Sequence, residues 1–186
     1  MVSDISALSG KAHAPGVTGQ TLTSIDTYRA LVRRSPTADF LIEFGGFLAA
    51  HDRADEAETF YARAREQLAA DAAAGVRADA AIIFFEADHG DAAKALRDAE
   101  QAVAERPFFE NHEAYAWALD VNERYDEAAA AIDEAKSIGI RDADMYVRAA
   151  QIDHARGDDA EARRELAIAL QMLQQNGGLQ GMLGKF

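Results

Sequence analysis

The strongest constraint in this sequence is a short pattern that returns four times along the chain. Each copy has a polar turn, then an alanine, a second residue four positions later, and another alanine three positions after that. The opening residues are Ala57, Ala95, Ala128 and Ala162, so successive copies begin 38, 33 and 34 residues apart. Offsets of four and three place these positions on one face of a helix. Two alanines on that face allow a neighbouring helix to approach closely.

A second helical segment precedes each copy. Apolar residues at helical spacing predict these helices over about 38–50, 78–88, 110–121 and 143–155. The repeating unit is therefore a helix–turn–helix with a period near 34 residues. Such a unit cannot bury its apolar face alone, so neighbouring units must stack. The predicted fold class is all-α, an α-solenoid of helix–turn–helix repeats.

This arrangement resembles the tetratricopeptide repeat family over about residues 38–170. The family has a small residue inside the first helix of each unit, and Gly45, Ala116 and Ala150 match it. Its second helix has the alanine–bulky–alanine pattern described above. The second repeat departs from the pattern, because Ile83 stands where a small residue is expected. The resemblance implies a right-handed superhelix of about four repeats, whose first helices line a concave, non-enzymatic binding groove.

The flanks of the repeats differ from them in composition. Residues 1–21 mix glycine, serine and proline without a period, which predicts an extended or disordered segment. The repeat domain is predicted over 22–175 and includes a leading helix at 22–34. A Gly-rich tail, 176–186, follows it. Its glycines disfavour a free helix, so the alternatives are a cap on the last repeat and a mobile tail.

The net charge of −13 bears on the partners of the chain. An acidic surface repels nucleic acid and anionic membranes, because both carry dense negative charge. We therefore expect no nucleic acid and no membrane partner, but a protein or peptide of basic or apolar character. The alternative is that the acids only keep the helix surfaces hydrated. The first residues lack the basic and apolar stretches of a signal peptide, so a cytoplasmic location is expected.

The sequence contains no recognisable catalytic pattern. It has no cysteine, no Gly-x-Ser-x-Gly turn and no phosphate-binding Gly-Lys-Ser/Thr loop. His112 and Glu113 form half of a helical zinc motif, but Ala116 occupies the position of the second histidine. Three further histidines near the ends of first helices fit helix capping better than a shared metal site. We expect neither an enzyme nor a bound metal or cofactor.

The resemblance also implies which side chains face the groove. By register with the family's first helices, the candidate binding residues are Phe84, Glu113, Trp117, Asp120, Gln151 and His154. Trp117 is the only tryptophan, and it lies beside the packing face of its helix, as is typical of an interface anchor. Its alternative role is structural packing against the next helix. An aromatic and acidic groove suits an apolar segment that bears lysine or arginine.

Other functions remain open at this point. The first is the protein- or peptide-binding scaffold that the repeat pattern favours. The second is a structural unit that self-associates, because a solenoid has apolar ends that need covers. A regulatory fragment of a larger protein and a small-molecule pocket are further alternatives, and a hydrolase or metal enzyme has the least support from the residues.

Overall fold

A computed structural model describes residues 21–75 and 79–183, with the side chains of 24–75 and 79–175. Most of the predicted N-terminal segment, 1–21, lies outside the described residues. Within the described ranges the chain forms nine α-helices and no strand. These helices belong to two compact units, Met1–Arg77 and Ala78–Phe186. The protein is therefore an all-α helical repeat protein, as the sequence predicts.

The first unit contains three helices, namely α1 (Thr21–Arg34), α2 (Ala38–Ala49) and α3 (Ala54–Ala73). Helix α1 packs on α2 through aromatic rings, because the ring of Tyr28 stacks on that of Phe44 with 5.2 Å between centroids. The Tyr28 hydroxyl also donates to Glu43 Oε1 at 2.9 Å. Helix α3 is long, and Gly75 follows its end with a φ of 78°, a conformation that favours glycine.

The second unit contains three helical hairpins. Their helices are α4 (Asp79–His89), α5 (Ala92–Glu105), α6 (Phe109–Val121), α7 (Tyr125–Ser137), α8 (Ala143–Ala155) and α9 (Asp159–Leu183). The first helices of the hairpins, α4, α6 and α8, begin and end within about two residues of the predicted bounds. Helix α9 continues to Leu183, into the segment that the sequence separates as a Gly-rich tail.

The alanines of the repeat form the contacts between helices. All eight alanines that open and close the four copies are buried, namely Ala57, Ala64, Ala95, Ala102, Ala128, Ala135, Ala162 and Ala169. The residues between them are buried in the first three copies, as Tyr61 and Ile132 illustrate. Leu166, in the fourth copy, is 43% exposed. The predicted packing face is therefore confirmed except at this leucine.

Three of the turns inside the hairpins share one geometry. Asp52, Glu123 and Gly157 have φ values of 58°, 61° and 86° at equivalent positions of the turns. In the second of these turns the Arg124 N–H donates to the Leu119 carbonyl at 3.0 Å, the long-range bond of a Schellman helix ending. A residue in the left-handed conformation thus ends the first helix and reverses the chain in each of these three hairpins.

Asp91 and Asp158 each follow a glycine at a turn, a placement that predicts helix caps, and the structure confirms both. Asp91 Oδ1 accepts a hydrogen bond from the Lys94 N–H at 2.9 Å at the start of α5. Asp158 Oδ1 accepts one from the Glu161 N–H at 3.1 Å at the start of α9. Each carboxylate satisfies an amide that the first turn of a helix leaves unpaired.

Substitution of two neighbouring glycines tests the close helix contact in the first unit. A Cβ at Gly45 would lie 2.5 Å from the buried ring of Tyr61, whereas one at Gly46 would have only the Tyr61 hydroxyl near it, at 4.0 Å. We expect Gly45→Ala to destabilise the protein by about 1–3 kcal/mol, because the ring or the helix must move. Gly46→Ala should instead stabilise it by about 0.5–1 kcal/mol through helix propensity. Urea unfolding of both variants measures the difference, and equal effects would contradict this packing.

Candidate functional site

A group of side chains from three first helices meets in the second unit. Phe84 and Asp88 lie on α4, Glu113 and Trp117 on α6, and Arg148 on α8. We call these five residues the Arg148 cluster. These three helices are the ones that the resemblance to tetratricopeptide repeats predicts to line the binding groove, and three of the five residues are predicted binding residues.

Arg148 is the centre of this cluster. Its guanidinium carbon lies 4.2 Å from the ring centroid of Phe84 and 5.8 Å from that of Trp117, within the range of cation–π attraction. Its Nε donates to Glu113 Oε1 at 2.9 Å. One cation therefore connects two aromatic rings and a carboxylate, and it ties α8 to both α4 and α6.

Trp117 is held from a second side. Its indole Nε1 donates to Asp88 Oδ1 at 2.6 Å. The residue is partly buried, so the ring has one anchored edge and also contributes to the surface. A tryptophan that is positioned by a hydrogen bond and by a neighbouring cation loses little conformational freedom when something binds to it.

Glu113 is a carboxylate largely removed from water, with only 8% of its side chain exposed. Burial raises its pKa, and the charge and hydrogen bond of Arg148 offset part of that rise. The Arg148 side chain is 28% exposed, so the ion pair lies at the edge of the protein rather than in its core. Removing one partner of such a pair leaves the other charge poorly compensated.

Asp120 follows Glu113 and Trp117 on the same face of α6, at offsets of seven and three residues. Its Oδ1 is buried and has no hydrogen-bond partner among the residues that the structure describes. Burial raises its pKa. A carboxylate oxygen in this state gains free energy from any cation or N–H donor that reaches it.

The other two predicted binding residues, Gln151 and His154, are exposed on α8. His154 Nδ1 lies 2.7 Å from Asp159 Oδ1 at the start of α9, and this contact lowers the pKa of Asp159. The structure thus brings Phe84, Glu113 and Trp117 together, whereas His154 pairs with a residue of the next helix. Their role in binding stays a prediction.

Two members of the cluster are absent from the sequence-based set. The sequence does not predict Asp88 and Arg148 as binding residues, and Arg148 supplies a positive charge where the sequence predicts an aromatic and acidic groove. A signal for Arg148 exists in the sequence, because it follows Glu113 by 35 residues, close to one repeat period. The tertiary contact itself depends on how far the arginine reaches across the gap between helices.

A cavity of about 220 Å³ lies elsewhere in the second unit, lined by residues that include Asp79, Asp98, Glu105 and Arg106. Its volume is below the ~300–1,000 Å³ that is usual for small-molecule sites. In the part of the chain that the structure describes, no group of three or more metal-ligating side chains is placed to hold an ion. Among the same residues, no helix is both long and apolar enough to cross a membrane. A second cavity, of about 430 Å³, is open to solvent beside the α6–α7 turn and the end of α8. We take the Arg148 cluster as the candidate site because it joins two aromatic rings, a carboxylate and a cation from three first helices.

Helical hairpins with this period and an alanine-lined second helix make this an all-α helical repeat protein whose hairpins resemble tetratricopeptide repeats. No family model matches the chain, and no curated protein matches it.

Three solved structures illustrate what the chain is similar to. MamA 41-end from Desulfovibrio magneticus RS-1 is 14% identical, with a TM-score of 0.48 over 84% of this chain and 88% of that one. Another crystal structure of MamA is 15% identical, with a TM-score of 0.49 over 86% and 92%. A tetratricopeptide repeat protein from Parabacteroides merdae ATCC 43184 is 14% identical, with a TM-score of 0.46 over 91% and 80%. These values transfer no partner to the present chain.

The unpartnered carboxylate predicts a stability change with a defined pH dependence. Because the pKa of Asp120 is raised in the folded state, the charged form destabilises that state, and stability falls as the pH rises through the folded pKa. We expect Asp120→Asn to raise the free energy of unfolding at pH 7 by up to about 1 kcal/mol. The gain should shrink as the pH falls through the folded pKa and vanish below the ordinary value of 3.8. Thermal unfolding from pH 7 to pH 3 measures it.

Glu134→Gln is the matched control for this experiment, since it removes one negative charge from an exposed side chain of the same unit. Its effect should be small at each pH, as is usual for exposed positions. A gain for Asp120→Asn no larger than that of Glu134→Gln would show that the Asp120 carboxylate carries no burial penalty.

Proposed function

We propose that this chain is a non-enzymatic scaffold that binds a protein or peptide partner across the first helices of its second unit. The observation that carries the proposal is the partly exposed Trp117, held between Asp88 and Arg148. The proposed binding residues are those predicted from the sequence, Phe84, Glu113, Trp117, Asp120, Gln151 and His154, joined by Asp88 and Arg148. The proposed setting is the cytoplasm, which the sequence alone favours.

The composition of the cluster supports this role. Tryptophan and arginine are the side chains that most often dominate the binding energy of interfaces. Here both are positioned before any partner arrives, because each makes a hydrogen bond to a carboxylate of a neighbouring helix. A surface that is already ordered loses less entropy on association than one that must be ordered by its partner.

Charge supports a partner of apolar and basic character. Asp88 and Glu110 are exposed on these first helices, and Asp120 lies half-buried on one of them. The whole chain carries −13. A negative surface of this kind attracts a segment with lysine or arginine and speeds its arrival.

Replacement of the tryptophan tests the proposed face. Peptides selected from a displayed random library on the purified chain would be synthesised and titrated by calorimetry. We expect Trp117→Ala to weaken their binding by about thirtyfold, the loss of ~2 kcal/mol that is typical of an anchor residue. Asp120→Lys should weaken binding of the basic peptides because it reverses a charge that attracts them.

Leu170→Ala is the matched control for the peptide titrations. Leu170 is 58% exposed in the same unit but lies on α9, which is not a first helix, so its removal should leave the affinity unchanged. If no peptide is enriched, or if Trp117→Ala and Leu170→Ala bind equally well, the proposed binding face is wrong.

A second candidate function is self-association through α9. Leu166, Leu170 and Leu173 follow one another at offsets of four and three, and they are 43%, 58% and 54% exposed. Residues 166–183 contain no charged side chain, although 27% of the whole chain is charged. A contact between two copies along this stripe would bury leucines without placing like charges opposite each other.

Light scattering over a range of concentrations tests this second candidate. If the stripe mediates self-association, the mass should rise toward that of a dimer with concentration, and Leu170→Glu should return it to that of a monomer. A charge in an apolar contact costs far more than the lost leucine, because it must give up its hydration. A monomer at all concentrations for the unsubstituted chain removes this candidate and leaves the peptide-binding proposal standing.

A further inference from the structure

The surroundings of Arg148 form a complete receptor for a guanidinium group. The faces of Phe84 and Trp117 provide cation–π attraction, and Glu113 provides a carboxylate acceptor. These are the partners that an arginine side chain prefers, because its planar cation both stacks on rings and donates several N–H groups. Phe84, Glu113 and Trp117 lie on α4 and α6, whereas Arg148 lies on α8. The receptor and the side chain that fills it therefore come from different helices.

The receptor also requires a cation. Glu113 is nearly buried, and Arg148 is the group that lowers its pKa against the effect of burial and of nearby acids. Without a positive charge, the carboxylate would be left desolvated and uncompensated between two rings. The space is therefore selective for a positive group over a neutral one.

Arg148 does not use all of its own hydrogen-bonding capacity there. Its Nε donates to Glu113, and neither terminal nitrogen has a hydrogen-bond partner among the residues that the structure describes. A single bond of this kind, on a side chain that is 28% exposed, holds the guanidinium in place but leaves its edge at the surface. The site is thus filled by a side chain of the protein itself, on the face where we propose that the partner binds.

We propose that Phe84, Glu113 and Trp117 form a guanidinium-binding box and that Arg148 fills this box from its own chain, so that Arg148 determines which partner side chains the face accepts. This inference deepens the proposed function and rests on it. With Arg148 in place, an arginine of the partner is excluded from the rings.

Chemical rescue tests the box without a partner protein. Arg148→Ala would be titrated with ethylguanidinium, and the fluorescence of Trp117, the only tryptophan, reports on occupancy. We expect saturable binding that is at least about tenfold tighter than in the unsubstituted chain, as desolvated cation–π and charge-assisted contacts imply. Ethylammonium should bind more weakly, because it lacks the planar fork that stacks and hydrogen-bonds at once.

The double variant Arg148→Ala/Glu113→Gln is the matched control. It keeps both rings and removes the carboxylate, so ethylguanidinium should lose most of its affinity. Far-UV circular dichroism checks that the variants fold, and Arg148→Met, which keeps the aliphatic stem, replaces Arg148→Ala if that variant does not. The proposal would be overturned if ethylguanidinium changed the fluorescence of the unsubstituted chain and of Arg148→Ala equally. It would also be overturned if the single and double variants bound ethylguanidinium with equal affinity.

Peptide selectivity tests the consequence for partners. Among the peptides bound by the unsubstituted chain, replacement of arginine by lysine should change affinity little, whereas Arg148→Ala should prefer the arginine form by about tenfold. The same preference in both proteins would overturn the role assigned to Arg148. Failure of the rescue leaves the peptide-binding proposal intact, and failure to select any peptide leaves the rescue still measurable, so the two proposals fail separately.

Discussion

The close approach of helices at alanine is the constraint on which the rest of this structure depends. The alanines that open and close each repeat are buried, and several of them have no exposed surface at all. A methyl group keeps two helix axes near the short end of the usual packing distance, about 8 Å. Each alanine buries little area, so the larger stabilisation comes from the residues that this approach brings into contact, such as Tyr61 beside Gly45 and Ile132 in the second unit.

The candidate site follows from the same short distances. Helices α4, α6 and α8 repeat one another in sequence, so their side chains recur at similar heights. The Arg148–Glu113 contact joins residues 35 apart, and the Trp117–Asp88 contact joins residues 29 apart, each near one period. Long side chains on neighbouring first helices can then meet across the gap.

In the second unit, two buried carboxylates form ion pairs with cations on neighbouring helices. Glu113 is paired with Arg148 and Glu165 with Lys136, and in both pairs the carboxylate is almost buried. Such pairs add little net stability, because desolvation offsets the Coulomb attraction, but they oppose any arrangement that leaves one charge alone. Asp120 differs from these acids because it makes no ion pair among the described residues, although Glu165, like Asp120, has one buried oxygen without a hydrogen-bond partner there. That contrast separates carboxylates whose burial is offset by a cation from one whose burial is not.

The amino-acid sequence by itself determined the helical hairpins, their period, the alanine contacts and two aspartate caps, because each depends on residues close together in the chain. The resemblance to tetratricopeptide repeats also predicted Phe84, Glu113 and Trp117 on the groove side of successive first helices. Only the tertiary structure decided that Arg148 lies between the two rings, that Asp88 holds the indole and that His154 turns to Asp159. These outcomes depend on side-chain rotamers and on the distance between helices, and spacing along a sequence carries no information about either.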